Sequence, residues 1–217
     1  MEITWLGRSC FRLRGRDAAV VMDPCDKSTG YNIGKLTADI VTVSHEHPAH
    51  SHVAAVTGTP RVVQGPGEFE IAGVLIMGIR TFHDPEQGRK LGKNTSFVVE
   101  LDDVRVCHLG DLGHVPTPEQ VEDLSGVDVL LAPVGGGNTI GAAAAAETIS
   151  LLEPKLVIPM HYKTPADKAE LEPLDRFLKE IGALSAYEER QPKLSVTKST
   201  LPHETKVQVL DYKGAGG

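Results

Sequence analysis

The chain of 217 residues carries a net charge of −7, is 41% apolar and 24% charged, and contains three cysteines, Cys10, Cys25 and Cys107. These proportions are ordinary for a globular protein. The acidic balance disfavours a general nucleic-acid binder, and three scattered cysteines without a CxxC pair point to neither a disulfide framework nor a zinc ribbon. No apolar run approaches the ~20 residues that span a bilayer. The start, MEITWLGRSC, lacks the charged residues and apolar core of a signal peptide. The expected setting is the cytoplasm, and the expected partner is a small-molecule substrate, with no nucleic acid and no membrane.

Short strands come first. Residues 3–6, 10–13 and 18–22 are apolar runs separated by Gly7 and by Arg14-Gly15-Arg16-Asp17, the spacing of an antiparallel meander. Residues 39–44 predict a buried strand. Further strands are expected at 61–64, 74–81, 96–101 and 104–109, the last two joined by a hairpin turn at Asp102-Asp103. The pattern then changes. Thr117, followed by Pro118 and by Gln120, is the capping-box start of a short helix that Gly126 ends. There follow a strand at 127–134, an alanine-rich helix over 142–153 stopped by Pro154, and a strand at 156–160. A helix over 173–181 closed by Gly182, a last strand at 206–212 and a frayed Gly-Ala-Gly-Gly tail complete the chain. Antiparallel strands followed by alternating strand and helix predict an α/β (α+β) fold, with two mixed sheets face to face and helices outside. No linker or repeat divides the chain, so a single domain over residues 1–217 is expected.

The chemistry concentrates in Ser44-His45-Glu46-His47-Pro48-Ala49-His50-Ser51-His52, which holds four of the nine histidines directly after a predicted strand. Side chains two apart in extended chain point the same way, so His45 and His47 can grip one ion. His50 lies where the chain is expected to turn into a helix and can face a neighbouring ion. Imidazole is the commonest protein ligand for zinc. A lone histidine is ordinarily a surface group, whereas a cluster at a strand's end reads as a site. Three more strand ends carry metal-type side chains: Thr81-Phe82-His83-Asp84, Leu109-Gly110-Asp111 and Ile158-Pro159-Met160-His161-Tyr162. Ligands of sheet proteins gather in the crevice beyond strand ends.

A strand ending in HxHxxH, then a histidine, then Gly-Asp, then a late histidine resembles the metallo-β-lactamase superfamily, from Asp23 to His161. The stretches GPGEFEI, HLGDLGH, PVGG and IPMHY are similar to its branch of small bacterial zinc-dependent hydrolases, which also contains the L-ascorbate-6-phosphate lactonases. The resemblance implies the four-layer αββα sandwich of the metallo-β-lactamase fold. It implies His45, His47 and His83 as ligands of one metal, and His50, Asp111 and His161 as ligands of a second. Asp111 would bridge the two, with Asp111 and His50 in catalytic roles and Asp23 supporting the metal loops. The implied cofactor is Zn2+, as one or two ions, with Mn2+ or Fe as alternatives. The implied reaction is attack by a metal-bound hydroxide on an ester, lactone, amide or phosphoester.

The chain departs from the family's HxHxDH at one position. Ala49 stands where the family has the aspartate that ligates the second metal and orients the water. The first site keeps three histidines, a set able to bring a bound water's pKa to about 7. The second loses a charge and an oxygen ligand, with Asp84, Glu46 and Glu68 as candidate replacements. Two readings follow: a working hydrolase, or a non-catalytic or weakly active metal-binding or ligand-sensing protein on the same scaffold. A nuclease of the superfamily is disfavoured by the acidic charge and the short chain. His108 reads as a buried structural group, His114 as a surface-loop residue, His52 as a support for the cluster and His203 as exposed. Cys25 reads as a small buried side chain near the metals, and Cys10 and Cys107 as core. Tyr162, Lys163, Asn94 and Asn138 are candidates for substrate contact. Gly135-Gly136-Gly137 lacks the spacing of a phosphate cradle and reads as a flexible turn. The sequence carries no signal for an oligomeric state.

Overall fold

The computed structural model describes residues 1–213; the expected frayed tail lies outside them. The first strands are β1 (Glu2–Gly7), β2 (Cys10–Arg14), β3 (Ala19–Met22), β4 (Leu36–Thr37), β5 (Ile40–Val43), β6 (Val56–Thr57) and β7 (Arg61–Gln64). Then come β8 (Gly67–Ile71), β9 (Val74–Phe82), β10 (Lys93–Leu101) and β11 (Val104–His108). Helices α1 (Pro118–Leu124), α2 (Ala142–Leu152) and α3 (Leu174–Glu180) alternate with β12 (Val129–Pro133) and β13 (Leu156–Met160), and β14 (Leu194–Ser195) and β15 (Lys206–Val207) follow.

Two large mixed sheets result. One has the order β14-β1-β2-β3-β5-β7, the other β15-β13-β12-β11-β10-β9-β8. The predicted meander is present: β1, β2 and β3 pair antiparallel in sequence order. Asp102 and Asp103, both at positive φ, make the tight turn between β10 and β11, a conformation that aspartate tolerates better than most residues.

The main core lies between the sheets, where Trp5, Phe11, Val20 and Met22 join Ile76, Phe97, Val106 and Leu130 in one buried cluster. Alternate residues of the first sheet face the other way. Leu6, Cys10, Val21, Val41 and Val43 join Tyr31, Ile33, Leu36 and Val56 in a second cluster. Strands buried on both faces read as continuous apolar runs, which is how 39–44 stands out in the sequence.

The helices cover the second sheet: α1 packs on β9, and α2 on β12 and α3. Thr117 and Gln120 form the predicted capping box of α1. In α2 the buried stripe is Ala142, Ala145, Ile149 and Leu152, and the helix stops at Glu153 in a left-handed conformation before Pro154. Two sheets face to face with helices outside the second agree with the sandwich that the resemblance implies. The outer face of the first sheet is covered by the segments on either side of β5, residues 24–39 and 44–57, which hold two 3-10 turns, Lys27–Thr29 and Val53–Ala55.

Three expectations shift. Residues 67–71 pair with β9 as an additional strand; Gly67 and an exposed, polar alternation hid it. The expected strand over 206–212 is paired with β13 only at Lys206–Val207. His50 lies in a turn rather than at a helix start, its N–H bonded to His47 O. Among the described residues no helix is long and apolar enough to cross a membrane.

The topology fixes one functional edge. β9 is antiparallel to β10, and β10 to β11, so β9 and β11 run the same way, as do their parallel neighbours β12 and β13. The carboxyl ends of β9, β11 and β13 therefore share an edge, where ligands of such sheets bind. The β1–β2 turn meets that edge, because Arg8 O accepts the His161 N–H at 3.2 Å.

Candidate metal centre

Four strand ends deliver the polar cluster: Ser44–His50 after β5, His83 after β9, Asp111 after β11 and His161 after β13. Three of the backbone turns involved are unusual. Asp23, His161 and Arg8 are non-glycine residues at φ of 45°, 52° and 53°. Each such conformation costs on the order of 1–3 kcal/mol and persists only where the surroundings impose it. Glycines permit the close approaches: a Cβ at Gly110 would collide with the Asn94 carboxamide, one at Gly113 with the His83 carbonyl and one at Gly135 with the His161 carbonyl.

Asp111 is the hub. Its Oδ2 lies 3.1 Å from His50 Nε2, 3.2 Å from His83 Nε2 and 3.5 Å from His161 Nε2. With bonds of about 2.0–2.1 Å, the ligand atoms of a tetrahedral zinc stand roughly 3.3–3.4 Å apart, so these spacings match the edges of a coordination polyhedron. Yet His50 Nε2, both ring nitrogens of His161 and His83 Nδ1 are buried and have no hydrogen-bond partner. Clustered buried nitrogens without partners call for a shared explanation, and a cation among them would satisfy them together. Groups of ligand atoms within 4.8 Å of one another are His45-His47-His50, His45-His83-Asp111 and His50-Asp111-His161. The second trio implied by resemblance thus converges. The first does not form one group: His47 is exposed, meets His45 and His50 rather than His83, and its Nδ1 accepts the Ala49 N–H.

Asp23 organises the rings from behind. Its carboxylate accepts the Ser44 N–H at 2.8 Å, the Ser44 hydroxyl at 2.6 Å and His50 Nδ1–H at 2.8 Å. The Ser44 hydroxyl, spent as a donor, accepts from His45 Nδ1 at 3.0 Å. Both histidines therefore hold a proton on Nδ1 and turn Nε2 toward Asp111, so that once His50 Nε2 gives up its own proton both rings present the tautomer a ligand needs. On the far side, Ser9 Oγ donates to Asp111 Oδ1 at 3.3 Å and Asn94 Oδ1 accepts the Asp111 N–H at 3.0 Å.

The charges fit. Burial opposes ionising Asp111, but His161 and His50 outweigh it and hold the carboxyl well below its usual range. Burial also opposes charging His50, yet Asp111 and Asp23 on its two sides raise it to about 10. Burial and the His50 charge lower His45 to about 4.

The remaining candidates fall elsewhere. Asp84 gives both oxygens to four backbone N–H groups, of Glu86, Gly88, Lys90 and Leu91, and so staples its own loop. Glu46 is exposed and accepts from Gln64, and Glu68 is exposed on β8. Asn94 is buried on β10, with its amide donating to Thr81 Oγ1 and Leu109 O. Tyr162 packs on Trp5, with ring centroids 5.1 Å apart, and Asn138 is exposed. The Lys163 ammonium is committed to the carbonyls of Asp167 and Ala169. His108 is buried between Ser9 O and the Gly110 N–H, and His114 accepts the Phe82 N–H. His52 stands 3.9 Å from Asp26, and His203 is exposed. All three cysteines are buried as free thiols. Sequence reasoning missed Ser9 and Ser44. Only the meeting of distant segments gives them a role.

Residues 2–161 match the family described as the beta-lactamase superfamily domain. A UPF0173 metal-dependent hydrolase of Methanoculleus marisnigri is 32% identical, covering 85% of this chain and 91% of its own length. One from Salinibacter ruber is 30% identical, covering 84% and 94%. A Thermotoga maritima crystal structure, described as a candidate Zn-dependent hydrolase of the metallo-β-lactamase superfamily, is 43% identical with a TM-score of 0.79, covering 98% of this chain and 99% of that one. An isothiocyanate hydrolase from Delia radicum gut bacteria, at 15% identity, TM-score 0.67 and 96% coverage of both chains, shares the fold.

Proposed function

The chain belongs to the metallo-β-lactamase superfamily, among the UPF0173 metal-dependent hydrolases, and from that premise we propose that it hydrolyses an ester, lactone, amide or phosphoester of a small molecule with zinc as its ion. The observation that carries the reading is the set of unpartnered buried imidazole nitrogens around Asp111 Oδ2. We assign His45, His50, His83, Asp111 and His161 as ligands, with His47 closing the open side. A bound ion supplies water activation and polarises the scissile group.

The chain's own residues prepare the rest. Asp23 fixes the tautomers of His50 and, through Ser44, of His45. Neutral His45 offers a lone pair without losing a proton. Ionised Asp111 brings the negative charge that offsets the cation, with its other oxygen held by Ser9.

The test is turnover of ester, lactone and phosphodiester panels by zinc-loaded protein. His45→Ala abolishes it under this reading, and activity that survives both chelation and that substitution refutes it. Ala49 favours a second reading, a metal-binding sensor. It is buried, and none of Asp84, Glu46 or Glu68 stands in for the aspartate as a ligand. A large gain in hydrolysis by Ala49→Asp supports the sensor, and a loss supports the enzyme.

A further inference from the structure

Arg8 occupies the turn between β1 and β2 at the rim of the candidate centre. Gly7 and Arg8 have φ of 115° and 53°, and a long side chain holds such a conformation only when its neighbours impose it. The neighbours here are the site itself. The Arg8 carbonyl accepts the His161 N–H at 3.2 Å and Trp5 Nε1–H at 3.0 Å, and the next residue, Ser9, donates its hydroxyl to Asp111.

The guanidinium is fixed but not used up. It is 12% exposed, and Nη1 donates to Asp167 Oδ1 at 2.9 Å. That engages one nitrogen of a group with five N–H donors. Nε is buried with no acceptor, and among the described residues none accepts from Nη2. The Nε–Nη2 side of the fork, which matches two oxygens of a carboxylate or phosphate, is therefore unspent. A buried donor on a charged group is costly to leave unpaired, so an arriving oxyanion has something to satisfy. Lys163, the other nearby cation, is tied to two carbonyls and cannot serve.

We propose that Arg8 is an anion anchor: the substrate carries a carboxylate or phosphate beside its scissile group, and the Nε–Nη2 fork of Arg8 grips it. The word substrate rests on the hydrolase reading above, but the anion site is testable without turnover. Titration calorimetry of inorganic phosphate and of succinate into zinc-loaded wild-type and Arg8→Gln protein reads it directly. At least a tenfold loss of affinity in the variant is expected, and the anion that loses more identifies the preferred group. Equal affinity in a folded variant overturns the proposal, as does failure of both anions to bind the wild type at millimolar concentration. Should Arg8→Gln fail to fold, Arg8→Lys decides, since its ammonium can pair with Asp167 but offers no fork. A tenfold loss there supports the anchor and an unchanged affinity overturns it. In turnover, the kcat/KM ratio of p-nitrophenyl hemisuccinate to p-nitrophenyl butyrate falls at least tenfold in the variant, and an unchanged ratio counts against the anchor. No turnover across the ester, lactone and phosphodiester panels by zinc-loaded protein that still binds the anions sinks the hydrolase reading and leaves the anchor standing.

Discussion

Ser44→Ala tests the tautomer relay behind the centre. The substitution deletes one oxygen from a buried residue. It removes a 2.6 Å hydrogen bond to ionised Asp23 and leaves His45 Nδ1–H without its acceptor. A hydrogen bond to a charged group contributes about 1.5–3 kcal/mol, so a loss of about 2 kcal/mol in folding stability is expected. For a chain of this size that is a fall of about 4–8 °C in melting temperature. The larger effect falls on metal. His45 is then free to move its proton to Nε2, and loss of such an orienting partner costs 10–100-fold in affinity. His45 is lowered to about 4 and so is neutral at pH 7, which keeps proton competition at that ring out of the comparison. Zinc affinity, read by competition with a chromophoric chelator at pH 7, falls accordingly while circular dichroism stays native. A folded Ser44→Ala protein that binds zinc within twofold of the wild type refutes the relay.

Two further outcomes follow from the same geometry. His50 in the metal-free chain is raised from 6.5 to about 10, so its charged contacts stabilise the fold fully below pH 6.5 and are lost as pH rises through 10. Zinc must displace that proton, and calorimetry at pH 7.5 in buffers of different ionisation enthalpy should register about one proton released per ion; none released sinks the assignment of His50 as a ligand. Gly135→Ala drives a Cβ into the His161 carbonyl. Such overpacking costs about 1–3 kcal/mol, and zinc affinity should drop with stability, whereas unchanged affinity would mean that His161 is not held by this contact.

What the sequence revealed depended on how local each cause is. The histidines of 45–50 were legible because their spacing and the apolar run before them are contiguous. The ends of β9, β11 and β13 were legible because strand periodicity breaks where the polar side chains begin. Asp84 looked like a spare ligand because one-dimensional reading sees a carboxylate and not the four amides that consume it. Asn94 and Lys163 read as candidates for substrate contact, yet Asn94 spends its amide hydrogens on Thr81 Oγ1 and Leu109 O, and Lys163 its ammonium on two backbone carbonyls. Arg8 and Ser9 sat inside an unremarked turn, and nothing near them in sequence announces Asp111 or Asp167.

The β1–β2 turn also dictates when the centre can form. Ser9 meets Asp111 across 102 positions of chain, and Arg8 meets Asp167 across 159. Closing loops of that length costs entropy before any contact repays it, and folds dominated by distant pairings assemble slowly. His45, His47 and His50 lie close in sequence, but the carboxylate of Asp111 and His161 join them only where both sheets are docked. Under the proposed ligand assignment, an ion would latch a nearly finished fold rather than nucleate it.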